Sequence, residues 1–309
     1  MWTISSGLFL GWSLGANDSA NIFGTGVATG TVKYRTAIIL TSVFVMLGAV
    51  LEGSKCIDTL TGLYMLIPIE AFFCALAAAV TMTALTFMAV PSSTSQAVVG
   101  AIIGAGIFSG TADFSSLYKI VACWVFTPVA AIVFAYVLHR GLGFIVERTI
   151  KDLTQRNFFN SAGIILAGCY GAYCLGSNNV ANVTGMYVGA GLLSPEAAAA
   201  VGGVSISLGV LTYSRKVMMT VGKGIVPLDP FSALVAVLAQ AATLHLFTQV
   251  GVPVSSSQAI VGAVVGVGLV GDAQTISVRM LARIAVGWLA TPTAAGILAF
   301  LPLWLISVL

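Results

Sequence analysis

Apolar runs follow one another along the whole chain, and polar interruptions give them their order. The run from Met1 to Thr31 is broken by Gly15-Ala16-Asn17-Asp18-Ser19-Ala20-Asn21, and Lys33 and Arg35 then mark a short basic loop. Ala37 to Leu51 predicts a second span, closed by Glu52, Lys55 and Asp58. Ile69 to Val90 predicts one arm of a hairpin, Pro91 to Gln96 its tip, and Ala97 to Phe108 the other arm. That second arm is too short to cross a hydrocarbon layer of about 30 Å alone, which favours a re-entrant hairpin. After a loop at Asp113, Leu117 to Leu138 predicts an ordinary span ending at His139 and Arg140. Residues 141–157, with Glu147, Arg148, Lys151, Asp152 and Arg156, are the one substantial polar connection.

Beyond that connection the pattern starts again. Gly176-Ser177-Asn178-Asn179-Val180-Ala181-Asn182 repeats the first interruption at an offset of 161 residues. The tip Pro91-Ser92-Ser93-Thr94-Ser95-Gln96 returns as Pro253-Val254-Ser255-Ser256-Ser257-Gln258 at 162, and Trp124/Thr127-Pro128 returns as Trp288/Thr291-Pro292 at 164. Three motifs in one order at a nearly constant offset indicate duplication. The division expected is a first repeat over 1–140, a cytoplasmic linker over 141–157 and a second repeat over 158–309.

Composition fixes the solvent. Hydrophobic residues make up 58% of the chain and charged residues 7%, against about 25% charged in soluble domains; mean hydropathy is +1.03. The reading is an all-α integral membrane protein, because helices satisfy their own backbone in lipid. Met1 to Leu14 lacks a basic leader and a small-residue cleavage site, so it reads as a retained span. Loop charge orients the spans. The 33–35 loop, the linker with Arg140 just before it, 215–223 and 279–283 hold 11 of the 13 Lys and Arg; 52–58 and 109–119 hold only Lys55 and Lys119, and 192–197 holds none. With the basic group cytoplasmic, each half makes about three net crossings plus one hairpin. The halves are then inverted, and both termini face outward.

Each hairpin tip concentrates hydroxyls inside an apolar region. Proline ends the incoming helix, and Ser or Thr caps a new helix whose first N–H groups lack an intrahelical partner. Such a helix end is an anion site. Two of them facing each other at membrane depth would cradle a small oxyanion. The Asn-rich interruptions suggest unwound helix offering a carboxylate from Asp18 and amide oxygens from Asn17 and Asn21, a donor set for a hard cation such as Na⁺. Asn178, Asn179 and Asn182 form the second copy, with Asn179 uncharged where the first has Asp18. Capping and backbone satisfaction account for one or two hydroxyls per tip, not for three or four in duplicate. The glycines after each tip (100, 104, 106; 262, 266, 268) read as close helix packing.

Other chemistry is poorly supported. The five cysteines lack metal-ligand spacing and read as free thiols. His245 stands alone and reads as a hydrogen-bonded core imidazole. Gly222-Lys223-Gly224 lacks the rest of a P-loop, and no nucleophile–base set marks an enzyme. Arg215, Lys216 and Lys223 read as interfacial, snorkelling charge.

Gly15-Ala-Asn-Asp18-Ser-Ala-Asn21 resembles the G-x-N-D-x-x-N signature of the inorganic phosphate transporter (PiT) family. Pro91 to Gly100 and Pro253 to Gly262 are similar to its P-x-S-S/T-S-Q tips. The resemblance covers nearly the whole chain. It implies a secondary transporter in the cell membrane that carries phosphate with sodium ions, or in some members with protons, by alternating access; some relatives carry sulfate. It also implies a homodimer, no nucleic-acid partner and no cofactor beyond the co-transported ion. Carried over by position, Ser93, Thr94, Ser95, Ser255, Ser256 and Ser257 would hold phosphate, with Gln96 and Gln258 beside them. Asp18, Asn17, Asn21, Asn178, Asn179 and Asn182 would hold sodium or bridge it to phosphate. The departure is Asn179, where the family's second signature usually has Asp. A passive anion channel is the rival reading of the same helix ends.

Overall fold

The computed structural model describes residues 2–61, 66–110, 114–224, 228–271 and 277–308, and among these every regular element is helical. The expected loop at Asp113 lies outside the described residues. A short 3₁₀ turn leads into α1 (Ser5–Asp18) and α2 (Ala20–Ala28), followed by α3 (Tyr34–Glu52) and α4 (Ser54–Thr61). The first hairpin is α5 (Pro68–Phe87) and α6 (Thr94–Ser109), and α7 (Phe114–Thr149) completes the half. The second half is α8 (Leu153–Gly189), α9 (Pro195–Tyr213), α10 (Arg215–Gly224), the hairpin α11 (Pro230–Gln249) and α12 (Ser256–Gly268), and α13 (Val278–Val308). Seven of these helices are long and apolar enough to cross a membrane, and the chain is a multi-pass membrane protein.

Local sequence sets the boundaries. Pro68, Pro195 and Pro230 sit at first helical positions, where the missing N–H costs nothing. Asp152 caps α8 by accepting from the Gln155 N–H at 2.9 Å. The segment 141–157 is therefore almost all helix, with only Ile150 to Asp152 between α7 and α8. Arg279 and Arg283 likewise belong to the first turns of α13 rather than to a loop.

The hairpin tips turn by a different device from the one expected. Proline does not stop the incoming arm. In α5 the N–H of Ala89 bonds Thr86 O and that of Val90 bonds Leu85 O; in α11, Gly251 and Val252 bond Thr248 O and Phe247 O in the same pattern. This is the Schellman turn, which requires a left-handed residue. Gly251 supplies it at φ +77°, and Ala89 takes it at φ +57° despite its Cβ. Each proline lies two residues further on.

The broken first helix is present in one half only. Ser19 alone separates α1 from α2, whereas α8 runs without interruption through Ser177 to Asn182. The expected unwinding of the second motif is corrected here: Asn178 donates to Thr248 of α11, and Asn182 donates to Ser95 of α6 and to the Asn179 side chain, so neither amide competes for its own backbone.

The halves are woven together through glycine. A Cβ on Gly15 of α1 would collide with Ile206 O of α9, and one on Gly176 of α8 with Val45 O of α3. Gly48 approaches Tyr173 O, and Gly209 approaches Trp12 O. Each contact maps onto its partner by the 161-residue offset, the reciprocity a two-fold relation produces. The hairpins cross over in the same way: Gly100 and Gly104 pack against Pro292 and Gly296 of α13, and Gly262 and Gly266 against Pro128 and Ile132 of α7.

Candidate functional site

The tips meet in the interior. Ser93 accepts the Gln96 N–H at 3.3 Å and Ser255 accepts the Gln258 N–H at 3.1 Å, so each caps its helix. The N–H groups of Thr94, Ser95, Ser256 and Ser257 are left without an intrahelical partner. Each tip also bonds the other: Ser95 donates to Val254 O at 3.1 Å, and Ser257 donates to Ser92 O.

The interruption motifs surround this junction. Asp18 accepts from the Thr94 hydroxyl at 3.1 Å and, more weakly, from Asn21 at 3.5 Å and from the Ser257 hydroxyl at 3.5 Å, whose one proton is shared with Ser92 O. Asn21 donates to Ser256 and Ser257, both at 3.1 Å, and Asn182 donates to Ser95 at 2.9 Å and to Asn179 Oδ1 at 3.1 Å. Asp18 therefore touches both tips, its own hairpin through Thr94 and the opposite one through Ser257.

Asn17 and Asn178 do something the sequence did not suggest. Asn17 accepts the Ser92 N–H at 3.1 Å and donates to Thr86 and to Val90 O. Asn178 accepts the Val254 N–H at 2.8 Å and donates to Thr248 and to Val252 O. Each amide clamps the tip of its own half. The matched threonines, 86 and 248, went unread, although the duplication itself marked them. Lys216 and Lys55 were also missed. Lys216 donates to Phe87 O at 2.7 Å at the end of α5; Lys55 donates to Gln249 at 2.9 Å at the end of α11 and pairs with Glu52 at 3.0 Å. His245 is hydrogen-bonded as expected, to Tyr170 at 2.8 Å and Gln249 at 2.7 Å.

The site is closed. None of the fourteen candidate residues is more than 4% exposed. Yet Asn21 Oδ1, Gln96 Oε1, Gln258 Oε1 and Asn179 Nδ2 are buried without a hydrogen-bond partner. Four such atoms beside one carboxylate leave room for a ligand or ordered water. Three of them are acceptors, and with the Asp18 carboxylate they are oxygen donors for a hard cation. Free N–H groups and hydroxyls supply the other half of the chemistry, donors for an anion. Opposed helix ends beside a carboxylate, in a bundle of membrane-crossing helices, are an arrangement suited to a membrane transporter.

The comparisons agree. The model of the phosphate transporter family matches residues 14–299, and the chain belongs to that family. A protein of Methanocaldococcus jannaschii named "putative phosphate permease" is 29% identical over 95% of this chain and 93% of its own. The sulfate permease CysP of Bacillus subtilis is 27% identical over 92% of this chain and 82% of its own. A solved structure described as "the sodium-dependent phosphate transporter" superposes with a TM-score of 0.84 at 23% identity, over 99% of this chain and 98% of that one. These relatives are transporters, not enzymes.

Proposed function

We propose that the chain is a secondary active transporter that takes up inorganic phosphate with sodium ions by alternating access. The observation that carries this is the junction of the two tips at Asp18: two helix N-termini and their hydroxyls converge on one buried carboxylate. Phosphate, with one to two negative charges, cannot enter such a site alone. A cation at Asp18, Asn21 and Asn179 offsets that charge, and the helix ends at Thr94, Ser95, Ser256 and Ser257 take the rest. Each ligand then lowers the cost of binding the other, which is coupling. Asn17 and Asn178 serve this site by fixing the tips, and Gln96 and Gln258 lend it oxygen.

The reading extends to the whole molecule. Repeats over 1–140 and 158–309 are inverted, as loop charge favours, and the connection between them is cytoplasmic. Both termini face outward from the cell membrane, and two copies form a homodimer. The closed tips correspond to an occluded state between two access states. A sulfate-carrying reading has its own support, since a relative of similar identity is named a sulfate permease.

The test is labelled phosphate uptake into proteoliposomes with and without an inward Na⁺ gradient at equal pH. Concentrative uptake only with the gradient is the expected result. Uptake driven by a pH gradient and indifferent to Na⁺ would transfer the coupling to protons. Saturable sulfate uptake without phosphate uptake would replace the substrate, and non-saturating flux would replace the transporter with a channel.

A further inference from the structure

Away from the transport site, a second cavity of about 510 Å³ opens where α7, α8 and α11 end. Arg140 and Glu147 line it from α7, Arg156 and Asn160 from α8, and Phe231 from α11. Four features set its chemistry. The only ion pair among the described residues joins Lys55 to Glu52, so neither arginine is neutralised by a carboxylate. Arg156 Nε is held by Ile150 O at 2.6 Å, which fixes the guanidinium while its outer N–H groups stay available. Asn160, one turn along from Arg156, keeps a buried Oδ1 with no donor. On the same ends of α7 and α8, Ile145, Leu153 and Phe158 are 54%, 73% and 75% exposed, apolar surface suited to lipid.

We propose that this cavity binds the headgroup of a membrane phospholipid: a phosphodiester that also carries a hydroxyl or ammonium donor. Two guanidinium groups at a helix-end interface recognise a phosphodiester. Glu147 and the orphan Asn160 Oδ1 accept from the donor beyond it. Phe144 and Phe231 form an apolar wall for the glycerol backbone and the first methylenes; inorganic phosphate has nothing to place there and would meet Glu147 directly. His139 lines the same cavity, tied to Ser232 at 3.3 Å, which in turn donates to Asp229 at 2.6 Å.

The test reconstitutes the full chain in equal mixtures of phosphatidylglycerol, phosphatidylethanolamine and phosphatidylcholine, and counts retained lipids by native mass spectrometry. The glycerol and ethanolamine lipids are expected to be retained over the choline lipid, which has no donor. Arg140→Gln with Arg156→Gln should lower retention of all three roughly tenfold. Asn160→Leu should keep lipid bound but weaken the headgroup preference, and it carries the test if the double variant does not fold. Equal retention of all three lipids by the unaltered chain, or a preference untouched by Asn160→Leu, would overturn the proposal. Displacement of the lipid by millimolar inorganic phosphate would overturn it too, and give the cavity to the free anion.

Discussion

Asp18 and Asn179 stand at equivalent positions, 161 residues apart, in surroundings that otherwise match. Asn17 clamps one tip and Asn178 the other with the same three kinds of bond. Asn21 and Asn182 each reach across to the opposite hairpin. Among these matched residues the charge differs only at 18 and 179: a carboxylate that gathers three donors, against an amide with a buried, unpaired Nδ2. The frame is two-fold, and the charge is not. Packing and tip geometry are duplicated because both hairpins need the same support, while the negative charge stands at one end of the junction only, the end that the proposed mechanism gives to a cation. A second buried carboxylate would add another desolvation cost and repel the first.

The sharpest way to break this comparison is to make the halves equal. Asp18→Asn should reduce Na⁺-driven phosphate uptake by about 10²- to 10³-fold, the effect of removing one partner of a buried charge pair, with folding preserved. Unchanged Na⁺ dependence in proteoliposomes would end the role of Asp18. Next come the glycine contacts, where the halves should behave alike. Gly15→Ala and Gly176→Ala each force a methyl group into a backbone carbonyl, and each should cost about 1–3 kcal/mol, read as matched losses in thermal stability. Unequal losses would show that the two-fold frame is only approximate.

Smaller effects sharpen the picture. Asn17→Ala and Asn178→Ala each leave a tip N–H unpaired and should cost about 1–3 kcal/mol, with phosphate affinity falling in both. Loss of Na⁺ affinity alone in Asn17→Ala would return that residue to the cation site. The mildest change should stabilise. Ala89→Gly removes the penalty of a left-handed alanine where the other half already has Gly251, and should gain about 1 kcal/mol. The reverse change, Gly251→Ala, should lose as much by the same denaturation assay.

Much of this was legible in the sequence because it was written twice. The hydroxyl tips, the Asn clusters and the crossing count all followed from runs and spacings. What stayed hidden was partnership. An asparagine beside an aspartate reads as a ligand, and nothing local to Asn17 reveals that its amide is taken up by a tip 75 residues away. The Asn-rich second motif read as a break, yet α8 continues, with Asn178 bonded to α11 and Asn182 to α6 rather than to their own backbone. Lys55 and Lys216 looked like loop charge because their acceptors lie 194 and 129 residues away.

The interlocked glycines also bear on how the protein is made. Gly15 and Gly48 create recesses on α1 and α3 that backbone from α9 and α8 fills, and α8 is complete only once translation has passed Gly189 and α9 only once it has passed Tyr213. The first half, once inserted, holds its mates' places open in the bilayer. Assembly therefore closes late and all at once. A ribosome stalled in the second half leaves an unfinished chain whose recesses face lipid, a natural mark for membrane quality control.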